Sequence, residues 1–263
     1  MKLFITFLAI FSLLFPPLPQ RGGQVIISPA PVSGGNTNAS WVQTCAGVIG
    51  GSGDTVTLSV GSGGSPTAGC STTFTAGNCF VVDYTVYKVS DLTTGNIGAS
   101  GATITWHQAG SVHDSSPAWE GSFYACGADI VSPNNPIIIT VTNTNGTYWG
   151  FTLTEVHGPT TLDTGGFVSN TGTSGTTVTV GPSSTLTNTN EYIDAFTRLG
   201  GSYQTLTGGS CFGGTATIPT NGQSPGTVTF AAGHFIPAST TAGSCAFGSS
   251  AGDTYGMILT ILK

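Results

Sequence analysis

Thr140-Val141-Thr142 and Thr152-Leu153-Thr154 show the pattern that decides the fold, an apolar residue between two threonines. The same pattern recurs along the chain from residue 55 to residue 229. Successive side chains of a β-strand point to opposite faces, so this alternation puts threonines on one face and branched apolar side chains on the other. Apolar residues at helical spacing are almost absent after residue 20. The pattern therefore predicts short antiparallel strands.

Glycine-rich and asparagine-rich turn clusters separate these runs, and the chain contains 40 glycines. We therefore predict an all-β, antiparallel β-sandwich or jelly-roll-like fold of about 10–12 strands. Residues 41–263 are expected to form one sandwich domain, with a second small lobe as the alternative. Asn145-Gly146 is a strong hairpin signal, because both residues tolerate positive φ. It predicts that Ile137 to Val141 pairs with Trp149 to Val156. The predicted strands begin near Trp41, Thr55, Cys79, Ala102, Ser122, Ile137, Tyr148, Thr176, Glu191, Thr227 and Tyr255.

The N-terminus resembles an export signal. Met1-Lys2 gives a positive start, and Leu3 to Phe15 is apolar apart from Thr6 and Ser12. This run is too short to cross a membrane as a helix. We expect residues 1–21 to be a signal peptide, with a retained apolar anchor or a core helix as alternatives, and residues 22–40 to be a leading segment. No transmembrane span is expected once the signal is removed.

The cysteines agree with export, because an even number in an exported chain suggests disulfides. The sequence leaves their pairing open. Nearness along the chain favours Cys70 with Cys79 and Cys211 with Cys245, which would leave Cys45 with Cys126. No pair has the spacing of a zinc site, so no metal is expected. The six cysteines are Cys45, Cys70, Cys79, Cys126, Cys211 and Cys245.

Charge is the unusual feature of the composition. Only 6% of residues are charged and the net charge is -6, against roughly a quarter charged in ordinary soluble proteins. Beyond residue 21 only three cations remain, Lys88, Arg198 and Lys263. Three scattered cations cannot displace counterions from a phosphate backbone, which excludes nucleic acid as a partner.

Several short motifs come in a characteristic order. Phe123-Tyr124-Ala125-Cys126 is followed by the run from Pro136 to Thr142, and then by Thr154-Glu155-Val156-His157-Gly158. Leu162-Asp163 and Glu191-Tyr192-Ile193 complete the order. This order resembles a widespread group of uncharacterised exported bacterial β-sandwich domains, over roughly residues 50–200. The resemblance implies a sandwich and export but no activity, and this chain adds cysteines that the group does not require.

Glu155, Asp163 and His157 are the candidate catalytic residues. With so few charges in the chain, Glu155 and Asp163, or either of them with Glu120, Asp129 or Asp194, are the carboxylates from which a glycosidase pair would be drawn. The structural interpretation is favoured, in which Glu155 ends a strand and binds backbone groups of the following loop. Gly248-Ser249-Ser250-Ala251-Gly252 has the spacing of a nucleophile elbow, but no helix follows it, so we interpret it as a turn.

Trp119 and His113 are the candidate ligand-binding residues. Trp119 follows Ser115, Ser116 and Pro117 in a predicted loop, and His113 precedes them. An exposed aromatic ring there would suit a sugar face. Trp106 and Trp149 lie inside alternating runs and are interpreted as core or half-core.

The sequence favours a secreted, non-catalytic extracellular module, namely a structural or adhesive surface or filament subunit. A carbohydrate-binding module and a secreted glycoside hydrolase-like enzyme are the alternatives. The expected partners are copies of the chain or an extracellular glycan, and no cofactor is expected. The low charge of the chain supports the hypothesis of a structural or adhesive module, because net and mixed charges normally keep proteins apart.

Overall fold

The computed structural model describes residues 38–50, 55–61, 69–70, 72–87, 90–115, 117–143, 148–173, 175–200, 204–224 and 228–263. These residues contain twenty strands and two 3-10 turns, at Thr94–Asn96 and Gly127–Asp129, and no α-helix. The predicted all-β, disulfide-stapled class is confirmed. The expected signal peptide and the Asn145-Gly146 turn lie outside the described residues.

The first eleven strands build one sandwich. They are β1 (Ser40–Gly50), β2 (Thr55–Val60), β3 (Gly69–Cys70), β4 (Cys79–Tyr87), β5 (Ile97–Ser100), β6 (Thr103–Ile104), β7 (His107–His113), β8 (Ala118–Cys126), β9 (Ile130–Val131), β10 (Ile137–Thr142) and β11 (Tyr148–His157).

The last nine strands build a second sandwich. They are β12 (Leu162–Thr173), β13 (Thr177–Val180), β14 (Tyr192–Leu199), β15 (Leu206–Cys211), β16 (Gly214–Thr215), β17 (Thr217–Ser224), β18 (Val228–Phe235), β19 (Cys245–Ser249) and β20 (Thr254–Leu262). Residues 36–263 together form one compact unit. Where one sandwich was expected over 41–263, this unit contains two.

The two sandwiches repeat the same strand order. The inner sheets run β1-β11-β4-β8-β7 and β12-β20-β14-β18-β17. The outer sheets run β3-β2-β10-β5 and β13-β19-β15-β16. If the two-residue strands β3, β6, β9 and β16 are left out, each half has eight strands. When these are numbered 1 to 8 in chain order, both inner sheets have the order 1-8-3-6-5 and both outer sheets contain the order 2-7-4. This arrangement is jelly-roll-like, and each half has its own hydrophobic core.

The strands of the outer sheets alternate between buried and more exposed residues. In β10, Ile137, Ile139 and Val141 are buried while the residues between them are half-buried. In β13, Val178 and Val180 are buried and the threonines are exposed. The predicted two-faced strands are therefore present, and their threonines cover the outer faces.

The inner sheets are buried on both faces, because each packs on its own outer sheet and also on the other inner sheet. Strands β4, β14 and β20 consequently contain almost no accessible residue. Across this contact β4 lies near β14, β8 near β20 and β11 near β18, while β1 meets β17 and β7 meets both β12 and β20. Apart from the contact of β7 with β20, each of these contacts has its counterpart in the other half, as in the interface of a two-fold dimer.

The predicted hairpin is wrong. β10 pairs with β2 and β5 in the outer sheet, whereas β11 pairs with β1 and β4 in the inner sheet. The connection between β10 and β11 therefore crosses from one sheet to the other. Long-range pairing overrides the local turn signal, because a jelly-roll order buries more apolar surface than a two-stranded ribbon does.

Two of the three expected disulfides are also wrong. The bridges are Cys45–Cys70, Cys79–Cys126 and Cys211–Cys245, and only the last agrees with the expected pairing. The pairing of the strands explains two of these bridges. Cys79 lies opposite Cys126 across β4 and β8, and Cys211 lies opposite Cys245 across β15 and β19. Three bridges suit an oxidising, extracellular environment. No helix among the described residues is long and apolar enough to cross a membrane.

Candidate functional site

Glu155 lies in a closed hydrogen-bond network at the end of the first sandwich. Its carboxylate accepts hydrogen bonds from Gln43 Nε2 (2.5 Å), Asn78 Nδ2 (2.6 Å) and the Thr75 backbone N–H (3.0 Å). The Asn78 side chain also contacts His157 Nδ1 at 2.9 Å. Two of the three candidate catalytic residues are thus joined through Asn78. Glu155 is 1% exposed and lies near the end of β11, but its partners lie in β1 and just before β4, and not in the following loop as the sequence suggested.

Asp163 belongs to a different cluster, at the start of β12. It accepts hydrogen bonds from the Thr187 backbone N–H (3.2 Å) and from Thr187 Oγ1, and it pairs with Lys263 Nζ at 3.3 Å. Burial acts to raise the pKa of Asp163, but these hydrogen bonds and one from the Thr164 backbone outweigh it and lower the pKa. Glu155 and Asp163 therefore have separate sets of partners rather than a common one.

A cleft of about 280 Å³ opens beside this second cluster, at the junction of the two sandwiches. The connector Gly158–Thr161 forms one wall and the loop Asn188–Glu191 another, with Leu262, Lys263 and Ala39 completing it. Glu191 is the acidic residue of its lining. Burial and the nearby Asp163 carboxylate raise the pKa of Glu191 to about 7.

Trp119 and His113, the candidate ligand-binding residues, come together. They are paired across β7 and β8, with ring centroids 4.7 Å apart and planes tilted by 44°. His113 is exposed, but Trp119 is half-buried and belongs to β8 rather than to the predicted loop. Of the other tryptophans named above, Trp106 and Trp149 are buried in the core as expected.

Ser250, the serine that a nucleophile elbow would use, directly follows β19 and does not precede a helix. Its Oγ accepts the Thr205 backbone N–H at 2.9 Å, and the hydroxyl of its neighbour Ser249 donates to the Ala251 carbonyl oxygen at 2.6 Å. The nucleophile-elbow spacing therefore serves a turn, as interpreted from the sequence.

The contact between the inner sheets holds buried charges that sequence reasoning missed. Arg198 of β14 is paired with Asp114 and lies near Glu120, whose Oε1 is 3.8 Å from Arg198 Nε. All three side chains are 1% exposed or less. Burial raises the pKa of Glu120 to about 8, although the Arg198 charge opposes the shift. Gly256 of β20 faces this carboxylate, and a Cβ there would overlap with it.

Asp83 and Asp194 occupy equivalent positions on the central strands of the two inner sheets. Asp83 lies between Ser122 and Thr152 in the cross-strand register. Asp194 lies between His234 and Thr260. The two carboxylates are 1% and 2% exposed. Neither Asp83 oxygen has a hydrogen-bond partner among the described residues.

Burial favours the protonated form of both aspartates. Burial raises the pKa of Asp83 to about 7. Burial and the neighbouring Asp83 raise the pKa of Asp194 well above its usual value. The signal for this pair was present in the sequence, because each Asp interrupts an apolar strand, in Val82-Asp83-Tyr84 and Ile193-Asp194-Ala195. The sequence could not show that the two strands cross.

Burial of charge leaves the described surface nearly neutral. Of the eleven Asp and Glu residues only Asp54 lies outside the described residues, and none of the other ten is fully exposed. Arg198 is buried and Lys263 is half-buried. The half-buried acids are Asp91, Asp129 and Asp253, and the buried ones are Asp83, Asp114, Glu120, Glu155, Asp163, Glu191 and Asp194.

No group of three His, Cys, Asp or Glu side chains within the described ranges could hold a metal ion. No protein-family model matches the chain, and no curated protein or solved structure matches it either.

Proposed function

We propose that the protein is a secreted, non-catalytic structural module that assembles with copies of itself outside the cell. The observation that supports this proposal is the described surface, which carries no fully exposed Asp, Glu, Lys or Arg. Soluble proteins normally carry about 25–35% charged residues on their surfaces, and these charges keep copies apart. A surface without them offers little resistance to contact with an identical surface.

The outer faces of the outer sheets are the surfaces suited to this contact. Thr57 of β2 faces Thr140 of β10 across the strands, and both point away from the core. Thr177 and Thr179 of β13 are exposed in the second sandwich. The outermost strands β3, β5, β13 and β16 are only two to four residues long, which limits pairing through sheet edges. For the outer sheets, contact between faces is therefore favoured over extension of the sheet.

Export is part of the proposal. The three disulfides require an oxidising environment to persist, and the N-terminal apolar run after Lys2 is typical of a signal peptide. The resemblance to exported β-sandwich domains points the same way.

Sedimentation velocity over a range of protein concentrations tests the assembly. The wild-type protein should shift to larger species as its concentration rises. Thr57→Lys combined with Thr179→Lys places one charge on each outer face and should lower the association constant by about tenfold or more, through like-charge repulsion and desolvation of the ammonium groups. Both positions are exposed, so the fold should tolerate the change.

Thr57→Ser with Thr179→Ser is the matched control, because it keeps the hydroxyls and adds no charge. It should associate like the wild type. A wild-type protein that stays monomeric at the highest concentration contradicts the proposed function, and equal assembly of the lysine variant contradicts the assignment of the outer faces.

The contact of His113 with Trp119 supports a second candidate, the binding of a neutral glycan. One ring is exposed and the other half-buried, and an aromatic face with a polar neighbour suits the apolar face of a sugar. Trp119→Ala should weaken binding on an array of neutral glycans by about tenfold. Trp41→Ala is the control, since Trp41 is 40% exposed but stacks on His234 elsewhere. Equal effects of the two variants, or no binding by the wild type, would remove this candidate.

A further inference from the structure

Lys263 contacts Asp163 at the place where the second sandwich begins and ends. Asp163 lies in β12, the first strand of that sandwich, and Lys263 follows β20, the last. The two strands are adjacent, with Leu162 opposite Leu262. Lys263 Nζ is 3.3 Å from Asp163 Oδ1, and the Asp163 side chain is 2% exposed. The Lys263 nitrogen and the Asp163 carboxyl group are therefore held together, with the carboxyl group almost fully buried and the Lys263 side chain 24% exposed at the edge of the cleft.

The Asp163 carboxyl group is held by further donors. Thr187 donates its backbone N–H to Oδ2 and its hydroxyl hydrogen to Oδ1. These donors fix the orientation of the carboxyl group relative to Lys263. They also lie where negative charge would develop if the nitrogen attacked the carboxyl carbon, which is the role of an oxyanion hole.

Glu191 supplies the third group, because it lines the same cleft as Lys263. It is 2% exposed, and its Oε1 accepts the Asn188 backbone N–H at 2.6 Å. Its Oε2 has no hydrogen-bond partner among the described residues. Burial and the Asp163 carboxylate bring the pKa of Glu191 to about 7, so near neutral pH this group can both accept and return a proton.

We propose that Lys263 and Asp163 become joined by an intramolecular isopeptide bond, with Glu191 transferring the protons. The Nζ–Cγ bond forms and one Cγ–O bond breaks. The ammonium group gives up two of its three protons, both end on the departing carboxylate oxygen, and that oxygen leaves as water. Glu191 returns to its starting state, and no oxidant, metal or co-reactant is needed.

The bond would close a covalent ring from residue 163 to residue 263. The described first sandwich has two disulfides, Cys45–Cys70 and Cys79–Cys126, while the second has Cys211–Cys245 alone. The isopeptide bond would tie the first strand of the second sandwich to its last. This inference does not depend on self-assembly, and its test is separate.

Intact mass spectrometry of the reduced, denatured protein tests the bond. The wild type should be lighter by one water, about 18 Da, than the mass calculated from its observed N-terminal residue to Lys263, as the stoichiometry of amide formation requires. Trypsin cleaves after Lys88 and Arg198, so Asp163 and Lys263 fall in peptides 89–198 and 199–263. These two peptides should remain joined after reduction of the disulfides.

Lys263→Arg is the matched control, because it keeps a positive charge beside Asp163 but cannot form this amide. It should have the mass of its sequence and give two separate peptides. Glu191→Gln should fold and form the bond at least about tenfold more slowly, since it cannot take up a proton. A folded wild-type protein with the mass of its sequence and separable peptides, after incubation from pH 5 to pH 8, overturns the proposal.

Discussion

Replacement of Arg198 by methionine should lower the free energy of unfolding by about 3–5 kcal/mol at pH 7. Arg198 reaches from β14 into the contact between the two sandwiches, where it pairs with Asp114. Methionine removes the cation and leaves the Asp114 carboxylate buried without its counter-charge. Denaturation by urea, followed by tryptophan fluorescence, measures the change.

Arg198→Lys separates charge from geometry. Lysine keeps the charge but cannot reproduce the guanidinium group, which also lies 5.9 Å from the Tyr87 ring. It should be destabilised less than the methionine variant. A loss below about 1 kcal/mol for Arg198→Met would place this ion pair among the weak ones found on surfaces and would contradict its assigned role.

Replacement of Asp83 by asparagine should make the free energy of unfolding less sensitive to rising pH. The pKa of Asp83 is about 7 in the folded protein, whereas in an unfolded chain it is near 3.9. The folded state therefore binds this proton more tightly. Its contribution to stability is complete below about pH 4 and falls as the pH rises to about 7, with a slope of at most about 1.4 kcal/mol per pH unit.

Asparagine keeps the shape of the side chain and cannot ionise, so the stability of the variant relative to wild type should increase between pH 4 and pH 7. Urea denaturation at several pH values gives this difference directly. The comparison is necessary because other groups titrate as well. Partial burial lowers the pKa of the half-buried His234 to about 4, so the stability that its neutral form contributes is lost on acidification.

The stability of Asp194→Asn relative to wild type should also increase as the pH rises, because the pKa of Asp194 is also raised by burial and by Asp83. Asp253→Asn is the control, since Asp253 is only half-buried and binds its neighbour Thr254. If the Asp83 and Asp194 variants follow the wild type in parallel from pH 4 to pH 8, the two carboxyl groups do not titrate as assigned.

Strand positions were predictable where one face of a strand is buried and the other is not. β10 and β13 follow the alternation closely, because apolar burial on one side alone imposes a period of two. β7, from His107 to His113, and β12, which is rich in glycine and asparagine, carry no such pattern. Without these strands the duplicated order was invisible, and one sandwich was expected instead of two.

The site was less predictable than the fold. Trp149 is buried as its local sequence suggests, because its burial follows from the strand that carries it. Arg198 and Asp114, in contrast, are 84 residues apart along the chain. Their contact depends on the packing of one sheet on another, and a local pattern holds no information about it.

The connector Gly158–Thr161 between β11 and β12 has one further consequence. It tethers two faces that match each other as the two sides of a symmetric dimer do. Because the tether is four residues long, the partner face is always present at a high effective concentration. Dilution into a large extracellular volume therefore cannot separate the two sandwiches, although it would dissociate an equivalent pair of free chains.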